Sequence, residues 1–240
     1  MKKLSLTLIM LLCMVTTVNS DDQANLVRLK KKDLKDCTLG IMPIYVSYKL
    51  ALDVMWKNLT LKERRDKLLS ILYRYGPKHV ASVSTFTRTV LCTTGVTLSV
   101  PLKNRNFTFF NGKKIKMEVP LDGTKIQTSE PVKYLLFLFV DYAIDDRDSS
   151  YIDWDWAFNA FPRKKTHPLE ECINLGYRYA LWSQQKSAIV SIGSGTAEEC
   201  GRLSERYGDR GALYQSTEDL FDQVMEETPF YGMKDASDFH

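Results

Sequence analysis

Tyr134-Leu135-Leu136-Phe137-Leu138-Phe139-Val140, closing on Asp141, is the stretch on which the fold turns. A continuous apolar run of this length suits a central strand covered on both faces. Downstream, Leu169, Cys172, Ile173, Gly176 and Ala180 have a spacing that predicts a helix from about Pro168 to Gln184. Ala188 to Ile192 reads as a second buried strand. Gly193-Ser194-Gly195 then turns the chain into a helix opened by a capping box, Thr196 with Glu199, and ended by Gly208. Cys200, Leu203 and Tyr207 share its inner face. Ala212 to Gln215 reads as a short strand, and Ser216 caps a last helix through Leu220, Phe221 and Val224. Strand and helix thus alternate through residues 134–225, which implies a parallel sheet with right-handed crossovers.

Upstream, a strand starts near Thr38 and runs through Ile44 and Val46. Its end has two readings: Ile44, Val46, Tyr48, Leu50, Leu52, Val54 and Trp56 alternate like a strand, whereas Tyr45, Tyr48, Leu52, Met55 and Trp56 fit a helical stripe. Thr60-x-x-Glu63 is a capping box, followed by Leu61, Leu68, Leu72 and Tyr75 on one helical face. Gly76-Pro77 marks the stop. Val80 to Leu91 reads as a strand. Residues 104–119 read as a β-hairpin. A three-residue loop, Phe110-Asn111-Gly112, sets Phe107 across from Ile115 and gathers the apolar side chains on one face.

The first residues carry an address. Met1-Lys2-Lys3 is a short positive cap, Leu4 to Val15 is an apolar run broken only by Ser5 and Thr7, and Val18-Asn19-Ser20 offers small residues before the charged Asp21-Asp22. This is the order of a secretory signal peptide over residues 1–20. The apolar run is shorter than the roughly 20 residues of a bilayer span. Residues 21–36 read as a flexible basic segment, 37–228 as one α/β domain and 229–240 as a flexible tail. The net charge of +4, with acids and bases interspersed, argues against a nucleic-acid binder. Of five cysteines, Cys13 leaves with the signal. Cys37, Cys92, Cys172 and Cys200 remain, an even number that suggests two disulfides. Asn58-Leu59-Thr60 and Asn106-Phe107-Thr108 are glycosylation sequons, at Asn58 and Asn106.

Few residues point to chemistry. Gly193-Ser194-Gly195-Thr196 stands where a phosphate could be cradled, but the third glycine of a dinucleotide fingerprint is replaced by Glu198, with Glu199 beside it. Two carboxylates there repel a phosphate, so no cofactor is expected. Three histidines, His79, His167 and His240, are few for a Ser/His hydrolase. The acidic segment from Asp141 to Asp155 holds Asp141, Asp145, Asp146, Asp148, Asp153 and Asp155, interleaved with Tyr151, Trp154, Trp156, Phe158 and Phe161. Clustered carboxylates suit a hard divalent cation, and Asp141, Asp145 and Asp146 are the candidate ligands.

The apolar strand Leu135 to Val140 ending in Asp141, the turn Ile189-Val190-Ser191-Ile192-Gly193-Ser194-Gly195, the strand Leu213-Tyr214 running into Asp219-Leu220, and His79-Val80-Ala81-Ser82-Val83-Ser84-Thr85-Phe86 resemble a von Willebrand factor A-type domain over about half the mature chain. The metal-ion adhesion motif is not intact. Its D-x-S-x-S element is represented by Tyr45-Val46-Ser47-Tyr48-Lys49, and only Asp141 matches a family metal position. The resemblance implies a Rossmann-like, mostly parallel central sheet flanked by helices. It also implies an extracellular binding scaffold for a protein or glycan ligand, and pairings Cys172–Cys200 (first turns of neighbouring helices) and Cys37–Cys92. The function expected is a secreted binding or adhesion protein; the alternative is a secreted hydrolase using carboxylates of the acidic segment.

Overall fold

The structure, a computed structural model, describes residues 26–52, 56–92, 96–98, 102–108, 114–147, 170–202 and 211–232. The signal segment, the acidic residues from Asp148 to Asp155, His167 and the last eight residues lie outside them.

The chain forms a mixed α/β fold. Its strands are β1 (Thr38–Ile41), β2 (Tyr45–Val46), β3 (Leu50–Ala51), β4 (Arg88–Leu91), β5 (Thr97–Leu98), β6 (Lys103–Thr108), β7 (Lys114–Val119), β8 (Ile126–Gln127), β9 (Tyr134–Arg147), β10 (Glu170–Ser183) and β11 (Ala188–Arg202). Its helices are α1 (Leu61–Val83) and α2 (Ala212–Glu226). The main sheet runs β11-β10-β9-β1-β4, with the short β2 and β3 laid along β9. β1 is parallel to both β4 and β9, and α1 lies in the connection from β1 to β4, as parallel strands require.

The expected parallel, Rossmann-like arrangement fails from β9 onward. β9, β10 and β11 are successive antiparallel strands; residues 170–183 are strand where a helix was expected, and the strand expected at 188–192 runs on to Arg202 through the turn and helix start expected from Gly193. The physical reason lies in β10. Ile173, Leu175, Tyr177, Tyr179 and Leu181 are all buried at a spacing of two. This alternation outweighs the helical spacing of Cys172, Gly176 and Ala180. Thr196 and Glu199 form no capping box.

The sheet has two unlike faces. Leu138, Val140, Leu175, Tyr177, Tyr179, Leu181 and Ala197 point toward Leu68, Leu72 and Val80 of α1 and Leu220, Phe221 and Val224 of α2. Leu135, Phe137, Ala180, Trp182, Ile189 and Ile192 point the other way. There they pack with Phe107, Ile115, Met117 and Val119 of the β6–β7 hairpin. The hairpin register is the one expected, Phe107 opposite Ile115.

Local expectations divide. The Thr60 capping box forms: Glu63 N–H donates to Thr60 Oγ1 at 3.3 Å, and Thr60 N–H to Glu63 Oε2 at 2.8 Å. Gly76-Pro77 does not stop α1, which runs on to Val83 with Pro77 inside it. The bare backbone at Gly76 lets Phe221 of α2 lie against it, and Val80 beyond it is fully buried. Only Arg88–Leu91 of the expected 80–91 strand is strand. Residues 212–215 open α2 as helix, and Ser216, inside α2, donates to the Ile173 carbonyl at 3.0 Å. In the 44–56 stretch the alternating reading prevails at Ile44, Val46, Leu50 and Leu52, all buried.

Lys31–Leu34 makes a turn of 3-10 helix, Val27 N–H donates to Ile189 O at 3.0 Å, and Tyr134 OH donates to Asp33 O at 2.8 Å. Phe230 is fully buried, its ring centroid 4.4 Å from that of Phe86. No helix among the described residues is long and apolar enough to cross a membrane.

Candidate functional site

The β6–β7 hairpin covers only the end of its sheet face nearer the β10–β11 turn. Beyond it, Phe139, Arg178 and Ser194 form one row across β9, β10 and β11, and Tyr142, Gly176 and Thr196 form the next. Between the rows β9 carries one extra residue. Val140 pairs with Tyr177 and Tyr142 pairs with Gly176, which leaves Asp141 as a β-bulge. A bulge re-aims its side chain, and bulges are over-represented next to functional sites.

Asp141 is turned onto Arg178. Arg178 Nε donates to Asp141 Oδ2 at 2.6 Å and Nη2 to Oδ1 at 2.5 Å, a bidentate fork. Arg178 Nη1 donates to the Lys116 carbonyl on β7, and its guanidinium lies 5.7 Å from the centroid of Phe139. The backbone of the bulge is held from the other side, where the Ser47 hydroxyl donates to Asp141 O. The ring of Tyr142 lies over Gly176, and its hydroxyl is 2.9 Å from Thr196 Oγ1. Tyr45, itself exposed, sits 5.9 Å from Phe139, centroid to centroid. Together Ile115, Asp141, Tyr142, Arg178, Ser194 and Thr196 line an open cleft of about 410 Å³.

The candidate metal ligands are not gathered. Asp141 faces the cleft, with both carboxylate oxygens on Arg178. Asp145 pairs with Ile173 in register and is buried on the helix-covered face. Asp146 is a β9 residue opposite Cys172. Ser47, in the stretch set against the D-x-S-x-S motif, meets the backbone of Asp141 rather than its carboxylate. His79 lies on α1 with its ring nitrogens 3.5 Å from Glu218 and 3.0 Å from Asp222 on α2.

The cysteines behave differently from one another. Cys172 and Cys200 form a disulfide. They meet as directly opposed residues of β10 and β11, not as first turns of two helices. Cys37 and Cys92 are both buried and unbonded, which corrects their expected pairing. Cys37 precedes β1 and Cys92 follows β4. The parallel register therefore puts them at opposite ends of the strand pair, roughly 16 Å apart along the strands. A disulfide requires Cα atoms within about 7 Å.

Among the cleft residues, Arg178 and Tyr142 carry no motif, and Ser194 and Thr196 belong to the Gly193-Ser194-Gly195-Thr196 stretch, which is strand rather than the turn expected. The signal that finds them is the alternation of Ile173, Leu175, Tyr177, Tyr179 and Leu181, which makes residue 178 an outward-facing strand position.

No protein-family model and no curated protein matches the chain. Among solved structures, the chain is similar to the hypothetical protein CT253 from Chlamydia trachomatis, with a TM-score of 0.39 and 9% identity, over 80% of this chain and 94% of that one.

Proposed function

We propose that the chain is a secreted, glycosylated binding protein that takes a glycan on the part of its sheet that the described residues leave uncovered. The observation that carries this reading is the bulge at Asp141, which directs a fixed Asp–Arg pair into a shallow cleft beside the Tyr142 ring and the hydroxyls of Ser194 and Thr196. Sugar hydroxyls both donate and accept hydrogen bonds. A carboxylate joined to a guanidinium offers acceptors and donors side by side. The apolar C–H face of a sugar suits a ring such as Tyr142 or Tyr45. Asn58 and Asn106 are both exposed, as acceptors of N-linked sugar must be.

The hydrolase reading has less support. Glycoside hydrolysis uses two carboxyl groups about 5 to 9.5 Å apart across the substrate. Among the described residues lining the cleft, Asp141 is the one carboxylate, and Arg178 occupies both of its oxygens. Asp145 is on the other face of the sheet.

The test is a glycan panel probed with the mature protein and its Arg178→Ala and Thr196→Val variants. The expected result is binding of at least one glycan class, weakened about tenfold or more by Arg178→Ala, as hydrogen bonds to charged groups imply. A panel without a hit, or a hit indifferent to both substitutions, overturns the reading. Capture of an extracellular protein alone would replace the glycan with that class of ligand. Export is tested separately. Expression from the full chain should yield a product in the medium that starts at Asp21 and loses its glycosidase-sensitive mass in Asn58→Gln/Asn106→Gln.

A further inference from the structure

Three metal-ligating side chains meet at the open end of the β10–β11 hairpin, far from its turn. The register sets Cys172 directly across from Cys200. Glu198, two residues earlier on β11, projects from the same face opposite Asn174. The two sulfurs and a Glu198 carboxylate oxygen all lie within 4.8 Å of one another. Cys200 and Glu198 are exposed and Cys172 is half-buried, so the group is open to solvent. Among the described residues β11 is the edge of the main sheet, so there this end of the hairpin has a strand neighbour on one side only.

We propose that the Cys172–Cys200 disulfide masks a divalent-metal site, so that the reduced protein binds zinc through Cys172, Cys200 and Glu198 while the oxidised protein does not. Two thiolates and a carboxylate are a donor set that suits zinc, with metal–sulfur bonds of about 2.3 Å and metal–oxygen bonds of about 2.0 to 2.2 Å. Those bond lengths put ligand atoms roughly 3.5 Å apart in a tetrahedron, a distance the three side chains reach by rotation. Three protein ligands leave the fourth position for water. While the sulfurs are bonded to each other, neither is a thiolate, and the donor set does not exist.

The chemistry balances. A dithiol reductant gives two electrons and two protons to the sulfur–sulfur bond and becomes a disulfide itself, leaving thiols at Cys172 and Cys200. Zinc then displaces those two protons to solvent, with no further change of oxidation state. The inference is independent of the glycan reading, whose cleft lies further along the same strands.

The experiment uses the mature protein, reduced with a phosphine under nitrogen, freed of reductant and titrated with cobalt(II) as a spectroscopic substitute for zinc. The expected result is a thiolate-to-cobalt charge-transfer band and visible d–d bands saturating at one equivalent and abolished by zinc. Neither band should appear in the oxidised protein or in Cys172→Ser/Cys200→Ser. Glu198→Gln should weaken binding about tenfold or more. Absence of the bands in the reduced protein overturns the proposal. So does their persistence in the double serine variant, which would assign them to Cys37 or Cys92, or an unchanged affinity in Glu198→Gln. If reduction unfolds the metal-free protein, zinc should restore its circular dichroism spectrum; failure to do so also overturns it.

Discussion

The ring of Tyr142 fills the space that a side chain on Gly176 would need: a β-carbon built on that glycine falls inside the ring's van der Waals surface. Tyr142 and Gly176 face each other across β9 and β10, and Thr196 on β11 completes the row. Gly176→Ala should therefore push the ring aside and break the 2.9 Å contact between the Tyr142 and Thr196 hydroxyls. The expected cost is about 1 to 3 kcal/mol of stability, the range for overpacking. In Tyr142→Ala the same glycine substitution should cost far less, because the ring it meets is gone. A double-mutant cycle by chemical denaturation measures this, and additive losses would show that the ring does not depend on the glycine.

Gly76 tests the contact between the helices. Alanine there gains up to about 1 kcal/mol of helix propensity. Its β-carbon, however, would overlap the ring of the fully buried Phe221. Overpacking of about 1 to 3 kcal/mol outweighs that gain, so Gly76→Ala should lower the denaturation midpoint. Adding Phe221→Leu should recover part of the loss relative to Phe221→Leu alone.

Three tyrosines make the fold sensitive to alkali. Burial pushes the hydroxyls of Tyr134, Tyr177 and Tyr179 well above the ordinary value of 10.0. Each also hydrogen-bonds inward: Tyr134 donates to Asp33 O at 2.8 Å, Tyr177 donates to Gln223 Oε1 at 2.9 Å, and Tyr179 stands 3.1 Å from Ser191 Oγ. The folded state holds these protons more tightly than the unfolded state does. The stability they contribute is thus complete below pH 10 and declines as the pH rises toward the folded-state values. Tyrosinate absorbance near 295 nm should lag for three residues until circular dichroism reports unfolding. Full ionisation within the intact fold would contradict their burial.

The thiols give a chemical readout. Non-reducing peptide mapping should recover Cys172 linked to Cys200. Cys37 and Cys92 should be unreactive toward iodoacetamide in native buffer and fully alkylated in denaturant, since both are buried and burial raises both thiols above the ordinary 9.0. A Cys37–Cys92 peptide would refute the register of β1 with β4.

The strands at 134–140 and 188–192 were legible because bulky apolar residues dominate them. The hairpin register was legible because only one loop length put its apolar residues on one face. β11 beyond Ile192 was not legible. Its inward positions, Gly193, Gly195 and Ala197, are small; the space above Gly193 is taken by the Glu227 carboxylate and the ring of Tyr179, and that above Gly195 by Tyr177. A strand whose inward space is filled by side chains from other elements shows no alternation of its own, and the pattern Thr196-x-x-Glu199 then imitates a helix start. The cleft was hidden for the same reason. It depends on a bulge and on a register, and neither is written in a single segment. Gly76-Pro77 misled in the opposite sense: the glycine serves Phe221, far along the chain, rather than a local turn.

The strand order β4-β1-β9-β10-β11 also bears on how the molecule is made. Once α1 has returned the chain to lay β4 beside β1, every later member of the main five-strand order joins at the same growing edge, in the order in which the ribosome delivers it. No completed pair has to reopen to admit a latecomer. The apolar segment Tyr134 to Val140 emerges to find β1 already waiting on one side and is covered on the other by the next long strand to be synthesised.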